Sequence, residues 1–425
     1  MKRFLLLCGA LLVLGCAGQK SADAASLQSY LHVKRLLDSK DFFRARDAVA
    51  AKDIKLSPYH RLILEAGITN GFNKPAVSNS KIDKLLTDYK SLLKDSITLE
   101  LLKLKQANHA RLFQYSEALS VTNEILEKYA GIMGKEDIDD IANTGKIWQA
   151  LEHQPKQDVI IQGNTVIQMT RDKAQLANLM VSSGNIETAF IFDTGANLST
   201  VTRSTAVKLN MKMLGGLIEV NSITGGKITA GMALCPQFTM GNIVVKNAVF
   251  LVLEDDALAF PQIEYQINGI LGFPVIEALK EIQITANDEF IVPEKRTVNP
   301  SQNMALEFLT PVIDINGEYY SFDTGATATA LYSKYLEKHK SEITGKYDET
   351  TLQFGGAGGM TKKKGYNIPF NPVINGKKIT IPNVQLYIEE GNDKEKFFYG
   401  NIGQDLIKQF PKMTINFESM FIRFE

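Results

Sequence analysis

The segment Asp193-Thr194-Gly195-Ala196 occurs a second time as Asp323-Thr324-Gly325-Ala326. Each copy closes a short apolar run, Phe190-Ile191-Phe192 in the first and Tyr319-Tyr320-Ser321-Phe322 in the second. Such runs predict strands, and Asp is a poor strand residue. A carboxylate carried into an apolar setting is costly unless it is paired or used. Two of them, at matching places in two halves, point to one shared site.

The match extends beyond the motif. Leu271-Gly272-Phe273-Pro274-Val275-Ile276 aligns with Ile402-Gly403-Gln404-Asp405-Leu406-Ile407 and continues without a gap to the chain end. Ile282 falls on Met413, Ile284 on Ile415, Phe290 on Phe421, Ile291 on Ile422 and Glu294 on Glu425. Each half reads as a strand with its D-T-G-A, a glycine-rich stretch, a second motif ending in Gly, a short helix and a final hairpin. The halves span 158–295 and 303–425, joined through Pro293, Pro300, Ser301 and Gln302.

Ahead of them lies a segment of different character. From 27 to 153 the apolar residues fall at helical spacing, as in Leu62, Ile63 and Ala66 or Ile82, Leu85, Leu86 and Tyr89. Gly71 with Pro75, and Gly131 with Gly134, mark breaks between helices. Asp41-Phe42-Phe43-Arg44-Ala45 and Gln114-Tyr115-Ser116-Glu117-Ala118 share an aromatic three residues before an Ala. This resembles the turn and second helix of a tetratricopeptide-type hairpin, so an α-hairpin array is expected. Such an array implies either a module that binds a protein partner or a helical cap on the next domain. Pro155 and its polar neighbours mark the change to a β-rich chain.

The first residues read as an export signal. Met1-Lys2-Arg3 is positive, Phe4 to Leu14 is apolar, and small residues follow. Val13-Leu14-Gly15-Cys16 resembles a bacterial lipobox. That resemblance implies a lipoprotein signal over 1–15, a lipid on Cys16, a tether over 16–26 and anchorage in a bacterial cell envelope, periplasmic or at the surface. The alternative is a plain signal peptide cleaved near Ala17 or Ala25. If Cys16 is lipidated, Cys235 is left without an intramolecular disulfide partner and reads as a small buried hydrophobe. The chain has 47 basic and 47 acidic residues, which argues against nucleic-acid binding. There is no H-E-x-x-H, C-x-x-C or G-x-S-x-G, so zinc protease, thiol redox and serine hydrolase chemistry are not indicated.

The paired D-T-G-A loops with Ile270-Leu271-Gly272 and Asn401-Ile402-Gly403 resemble the aspartic protease family. They are similar to its retroviral (retropepsin-like) branch, because Ala follows Gly where the pepsin branch has Ser or Thr. Duplication within one chain is similar to pepsin. The resemblance implies a multidomain α plus all-β chain: an N-terminal α-hairpin array, then a bilobal, pseudo-twofold pair of acid-protease β-barrels. It implies an aspartic endopeptidase with Asp193 and Asp323 as the joint catalytic pair, acting on a peptide or protein substrate without metal or cofactor. Thr194 and Thr324 would bond across the twofold, Gly195 and Gly325 would allow a close turn where a Cβ would clash, and Ala196 and Ala326 would complete the support of the dyad.

The chemistry stands without the family name. Two carboxyl groups about 3 Å apart share one proton. The ionised member takes a proton from water, and the protonated member polarises the scissile carbonyl. Ala196 and Ala326 carry no hydroxyl to donate to the carboxylates, which predicts activity that reaches weakly acidic or near-neutral pH. Two glycine-rich stretches are candidate flaps over substrate: Thr224, Gly225 and Gly226 in the first half, and Gly355, Gly356, Gly358 and Gly359 in the second. The plainer reading is a pair of ordinary hairpin turns, and neither tip carries the Tyr of pepsin-like flaps. Lys362-Lys363-Lys364 reads as a solvated hairpin edge. The alternative function is a non-catalytic peptide-binding or scaffold lipoprotein that keeps the bilobal fold.

Overall fold

The computed structural model of the chain describes residues 23–221, 226–299, 301–356, 359–389 and 393–425. The signal segment with Cys16, and the candidate flap residues Thr224, Gly225 and Gly358, lie outside them. No helix among the described residues is long and apolar enough to cross a membrane. The chain divides into two compact units, Met1–Asn108 and His109–Glu425. The change from helix to strand comes later than this boundary, between Leu151 and Asp158. The last two helices therefore belong with the strands.

The first unit is helical. It holds α1 (23–38), α2 (Phe42–Ala50), α3 (Pro58–Gly71), α4 (Pro75–Asp88) and most of α5 (Asp95–Arg111). Two of its hairpins close with the same local device. Lys40 and Asn73 adopt left-handed φ values of 60° and 57°. The next N–H in each case donates back into the helix just ended, Asp41 to Leu36 O and Lys74 to Thr69 O, both at 2.8 Å. This is the Schellman closure of a helix end. The turn before α6 (Tyr115–Lys128) repeats it, with Phe113 at φ 56° and Gln114 N–H on His109 O at 2.9 Å. Two of these turns are the ones whose sequences match. The third carries Lys74-Pro75 in place of the aromatic, so its likeness is geometric. Inside the unit, Leu64, Ala66, Ile82 and Leu85 are fully buried. Asn108, also fully buried, satisfies its amide by donating to Ser78 Oγ and Asn79 Oδ1 and accepting from Asn70.

The second unit begins with α6 and α7 (Lys135–Leu151). Its strands, counted among the described residues, form a nine-stranded sheet in the first half, an eight-stranded sheet in the second, a five-stranded sheet that draws on both, and two two-stranded ribbons. In that shared sheet, strand Glu281–Thr285 lies antiparallel to Lys412–Asn416. Ile282 faces Ile415, Gln283 faces Thr414, and Ile284 faces Met413. Gln283 and Thr414 occupy the same place in the aligned sequences, so the pairing is centred on equivalent residues.

The helices α6 and α7 cover part of the first-half sheet. Tyr115 and Leu151 join Ile191, Ile218, Met232, Leu251 and neighbouring side chains in one buried cluster, with Trp148 packed against it. Asn143 of α7 pairs with the backbone of Glu219 in both directions, accepting at 2.9 Å and donating at 2.8 Å. Glu219 lies on the outer strand, Lys212–Asn221, of the first glycine-rich hairpin. Cys235 is fully buried in the other strand, and burial pushes its thiol up to about 11.

The lysine run departs from expectation. Lys363 is not a solvated edge residue: its ammonium meets both carboxylate oxygens of Glu395 at 2.7 and 2.6 Å, and the two side chains are only 14% and 9% exposed. The strand alternation turns Lys363 inward, toward helix Asp393–Phe397, while Lys362 and Lys364 stay exposed.

Candidate active site

The two aspartates arrive by the same construction. Strand Ile186–Phe192 ends at Asp193, and strand Glu318–Phe322 ends at Asp323. Each lies parallel to a three-residue strand from later in its own half, Gly269–Leu271 and Gly400–Ile402 respectively. The Asp193 N–H donates to Leu271 O at 3.2 Å and the Asp323 N–H to Ile402 O at 3.0 Å. The later segments then cross behind the loops, where Phe273 N–H reaches Ala196 O and Gln404 N–H reaches Ala326 O, both at 2.9 Å. Gly272 and Gly403 make that crossing possible. A Cβ on either would stand 2.5 Å from the carbonyl carbon of Leu198 or Ala328.

The threonines tie one loop to the other. Thr194 Oγ1 donates to Phe322 O at 3.1 Å and accepts the Thr324 N–H at 3.0 Å. Thr324 Oγ1 donates to Phe192 O at 2.9 Å and accepts the Thr194 N–H at 3.0 Å. Both residues are buried. Four hydrogen bonds in water-excluded surroundings thus set how far apart the two strand ends stand.

At both glycines a Cβ would clash, and the clash is with the opposite loop. Neither Gly195 nor Gly325 has a positive φ, so their own turn does not demand glycine. The demand comes from the opposite loop. A Cβ on Gly195 would lie 2.6 Å from the Asp323 carboxyl carbon, and one on Gly325 would lie 2.3 Å from that of Asp193. Each carboxyl group occupies the space left by the other loop's missing side chain.

Asp193 and Asp323 are immediate electrostatic neighbours. Burial of its carboxyl group, and then the charge of Asp323 beside it, hold Asp193 well above the usual carboxylate range. The N–H groups of Gly195 and Ala196 pull the other way, donating to Asp193 Oδ1 at 2.7 and 3.1 Å. The Gly325 N–H donates to Asp323 Oδ1 at 2.8 Å. The Ala196 N–H is shared between Asp193 Oδ1 and the Asp193 carbonyl, the latter at 3.4 Å, whereas the Ala326 N–H goes to the Asp323 carbonyl at 3.3 Å. A site of this form can hold one proton between two oxygens and present a base beside an acid.

Four further residues crowd the Asp323 loop, and the motif reading passed over them as site residues. Asn401 Nδ2 reaches Asp323 Oδ2 at 3.4 Å, and Ser321 Oγ donates to Asn401 Oδ1 at 2.7 Å. Gln404 Nε2 donates to Thr324 O at 2.7 Å and accepts from Arg171 of the first half. Asp405 Oδ1 accepts from the N–H and hydroxyl of Thr329 at 2.8 and 2.6 Å. The signal was available: the aligned residues in the first half are Ile191, Ile270, Phe273 and Pro274, all apolar.

Paired strands flank both glycine-rich stretches. Lys212–Asn221 pairs with Lys227–Met240, and Thr350–Gly356 pairs with Gly359–Phe370, with Gly356 opposite Gly359. Gly226 and Gly355 are exposed.

Comparison with known proteins bears on the first half. Residues 178–275 match the model of a family described as aspartyl protease. That span holds the Asp193 loop and the Gly272 crossing. Among solved structures, a retropepsin-like aspartic protease from Rickettsia conorii matches at 21% identity, over 32% of this chain and 92% of that one, with a TM-score of 0.24. No curated protein matches the chain.

Proposed function

We propose that the protein is an aspartic endopeptidase of retropepsin-like type, with both halves of its site in one chain and a bilobal arrangement about a pseudo-twofold axis. The observation that carries this reading is the reciprocal packing of Asp193 against Gly325 and Asp323 against Gly195, locked by the crossed threonine bonds. The aspartyl protease match over 178–275 supports it. In the reaction, the ionised carboxylate removes a proton from water. The resulting hydroxide adds to the scissile carbonyl, whose oxygen takes a hydrogen bond from the protonated carboxyl. Collapse of the tetrahedral intermediate passes a proton to the leaving amine. The two hairpins act as flaps over an extended peptide, and the helical segment is a positioning or partner-binding module. Export and a lipid on Cys16 would place the enzyme on a cell-envelope membrane.

The test is cleavage of a mixed peptide pool by the purified protein, by its Asp193→Asn and Asp323→Asn forms, and in the presence of a statine-type inhibitor. Each substitution is expected to lower cleavage by at least about a thousandfold. Cleavage that survives either one removes the dyad assignment. A parent protein that binds peptides without cutting them at any pH would instead be the scaffold form of the fold.

A further inference from the structure

The two aspartates are equivalent in strand, loop and facing glycine, and differ in where their N–H donors fall. Asp193 receives both of its donors, Gly195 and Ala196 N–H, on one oxygen, Oδ1. Asp323 receives the Gly325 N–H on Oδ1 and the Asn401 amide on Oδ2. An N–H directed at a carboxylate oxygen favours the charged form, and a carboxyl group that must keep a proton needs an oxygen to carry it. Asp193 has one oxygen clear of N–H donors; both oxygens of Asp323 already accept them.

The Asn401 amide is oriented by its own neighbour. Ser321 lies beside Asn401 in the parallel pairing, and its hydroxyl occupies Oδ1, which leaves the NH2 group to face Asp323. Ile191 and Ile270 stand in the same register in the first half and have nothing to donate. The titratable groups that face Asp323 are Asp193 from the opposite loop and Tyr332 from the segment after strand Ala330–Leu331. Burial, and then the charge of Glu395, keep the Tyr332 phenol protonated. Neither group supplies a positive charge, so the two acids differ in their N–H donors: the Ala196 N–H doubles up on Asp193 Oδ1, and the Asn401 amide reaches the second oxygen of Asp323.

We infer that Asn401 is a positioning residue that breaks the equivalence of the pair, holding Asp323 as the carboxylate that takes the proton from water and leaving the shared proton on Asp193. This rests on the dyad reading above and adds the order of roles to it.

The experiment titrates each carboxyl group with its partner neutralised, by carboxyl carbon NMR of aspartate-labelled full-length protein. In the Asp193→Asn background, adding Asn401→Ile is expected to raise the Asp323 midpoint by about half a pH unit to one unit. In the Asp323→Asn background, the same substitution is expected to leave Asp193 where it was. No shift of Asp323, or an equal shift of both groups, overturns the inference. Should Asn401→Ile lose its cooperative melt, Ser321→Ala serves in its place, with a smaller shift in the same direction expected and the same result overturning it. In the protein with both aspartates, Asn401→Ile should move the acid limb of kcat/KM upward by the same amount. The NMR midpoints need no turnover. A protein that never cleaves peptide would therefore defeat the protease reading, while the titration would still decide the role of Asn401.

Discussion

The two halves build the same loop in opposite surroundings. Around Asp193 the equivalent positions are Ile191, Ile270, Phe273 and Pro274; around Asp323 they are Ser321, Asn401, Gln404 and Asp405. What both halves share is geometry: the strand, the crossing segment, Gly272 or Gly403, and a threonine bonded to the other side. What only the second half has is a polar network, which reaches Asp323 through Asn401 and the first half through Gln404 and Arg171. The lesson is that backbone symmetry brings two acids together, and side-chain asymmetry can then give them different work.

The hairpins show the same contrast and offer the largest effect. Lys363 and Glu395 form a buried pair in the second half, while Lys227 and Glu219 form an exposed pair, 2.9 Å apart, in the first. Removing one member of a buried pair strands the other charge. Lys363→Met is expected to lower the unfolding free energy by about 3 kcal/mol in urea titrations. Lys227→Met should leave the urea midpoint unmoved, because surface pairs are screened and contribute little. Equal effects of the two substitutions would erase the distinction.

The facing glycines should behave alike, since they belong to the shared geometry. Gly195→Ala and Gly325→Ala each push a methyl group into the opposite carboxyl. Both are expected to cut kcat by about a hundredfold, the usual cost of displacing a reacting group by about 1 Å. A large loss in one and none in the other, measured on the same peptide, would show that the two loops do not share a site.

The smallest effect concerns stability. Asp193 is held above the usual carboxylate range, so it contributes stability below its unfolded pKa that is lost as pH rises through its folded pKa. At neutral pH, Asp193→Asn should therefore stabilise the protein by about 1 kcal/mol while abolishing turnover. Glu281 is the opposite case. Burial pushes it up, but donors from Thr297, Gln283 and Asn416 outweigh burial and hold it low. Its contribution is present above the unfolded carboxylate pKa and is lost as pH falls through its folded pKa. Thermal melts of the parent and of Asp193→Asn and Glu281→Gln, run at pH 7 and again at acid pH, test both signs.

Much of this was legible before any coordinates. The strands that end at Asp193 and Asp323 were visible in apolar runs, and Gly272 and Gly403 stood out as motif glycines. Local patterns of this kind are written by backbone preference and side-chain size, which act over a few residues. Other features could not be read that way. Lys363 looked like one of three surface lysines until strand alternation and helix Asp393–Phe397 turned it inward. That a Cβ would clash at Gly195 follows from the motif, but that the opposite carboxyl is the obstacle follows only from the assembled loops. The helices α6 and α7 share the helical spacing of the segment before them, and only their packing against Ile191, Ile218 and Met232 joins them to the strands.

For the repeated D-T-G-A, the sequence alone determined that two carboxyl groups must stand at equivalent places, because an apolar strand does not carry an acid to its end for packing alone. Tertiary structure decided the rest. The parallel pairing of Ser321 with Asn401 sets an amide against one aspartate, and the matching pairing of Ile191 with Ile270 sets none against the other. The reason is physical: a hydrogen bond between residues far apart in the chain depends on strand register, and register is settled only when the sheet forms.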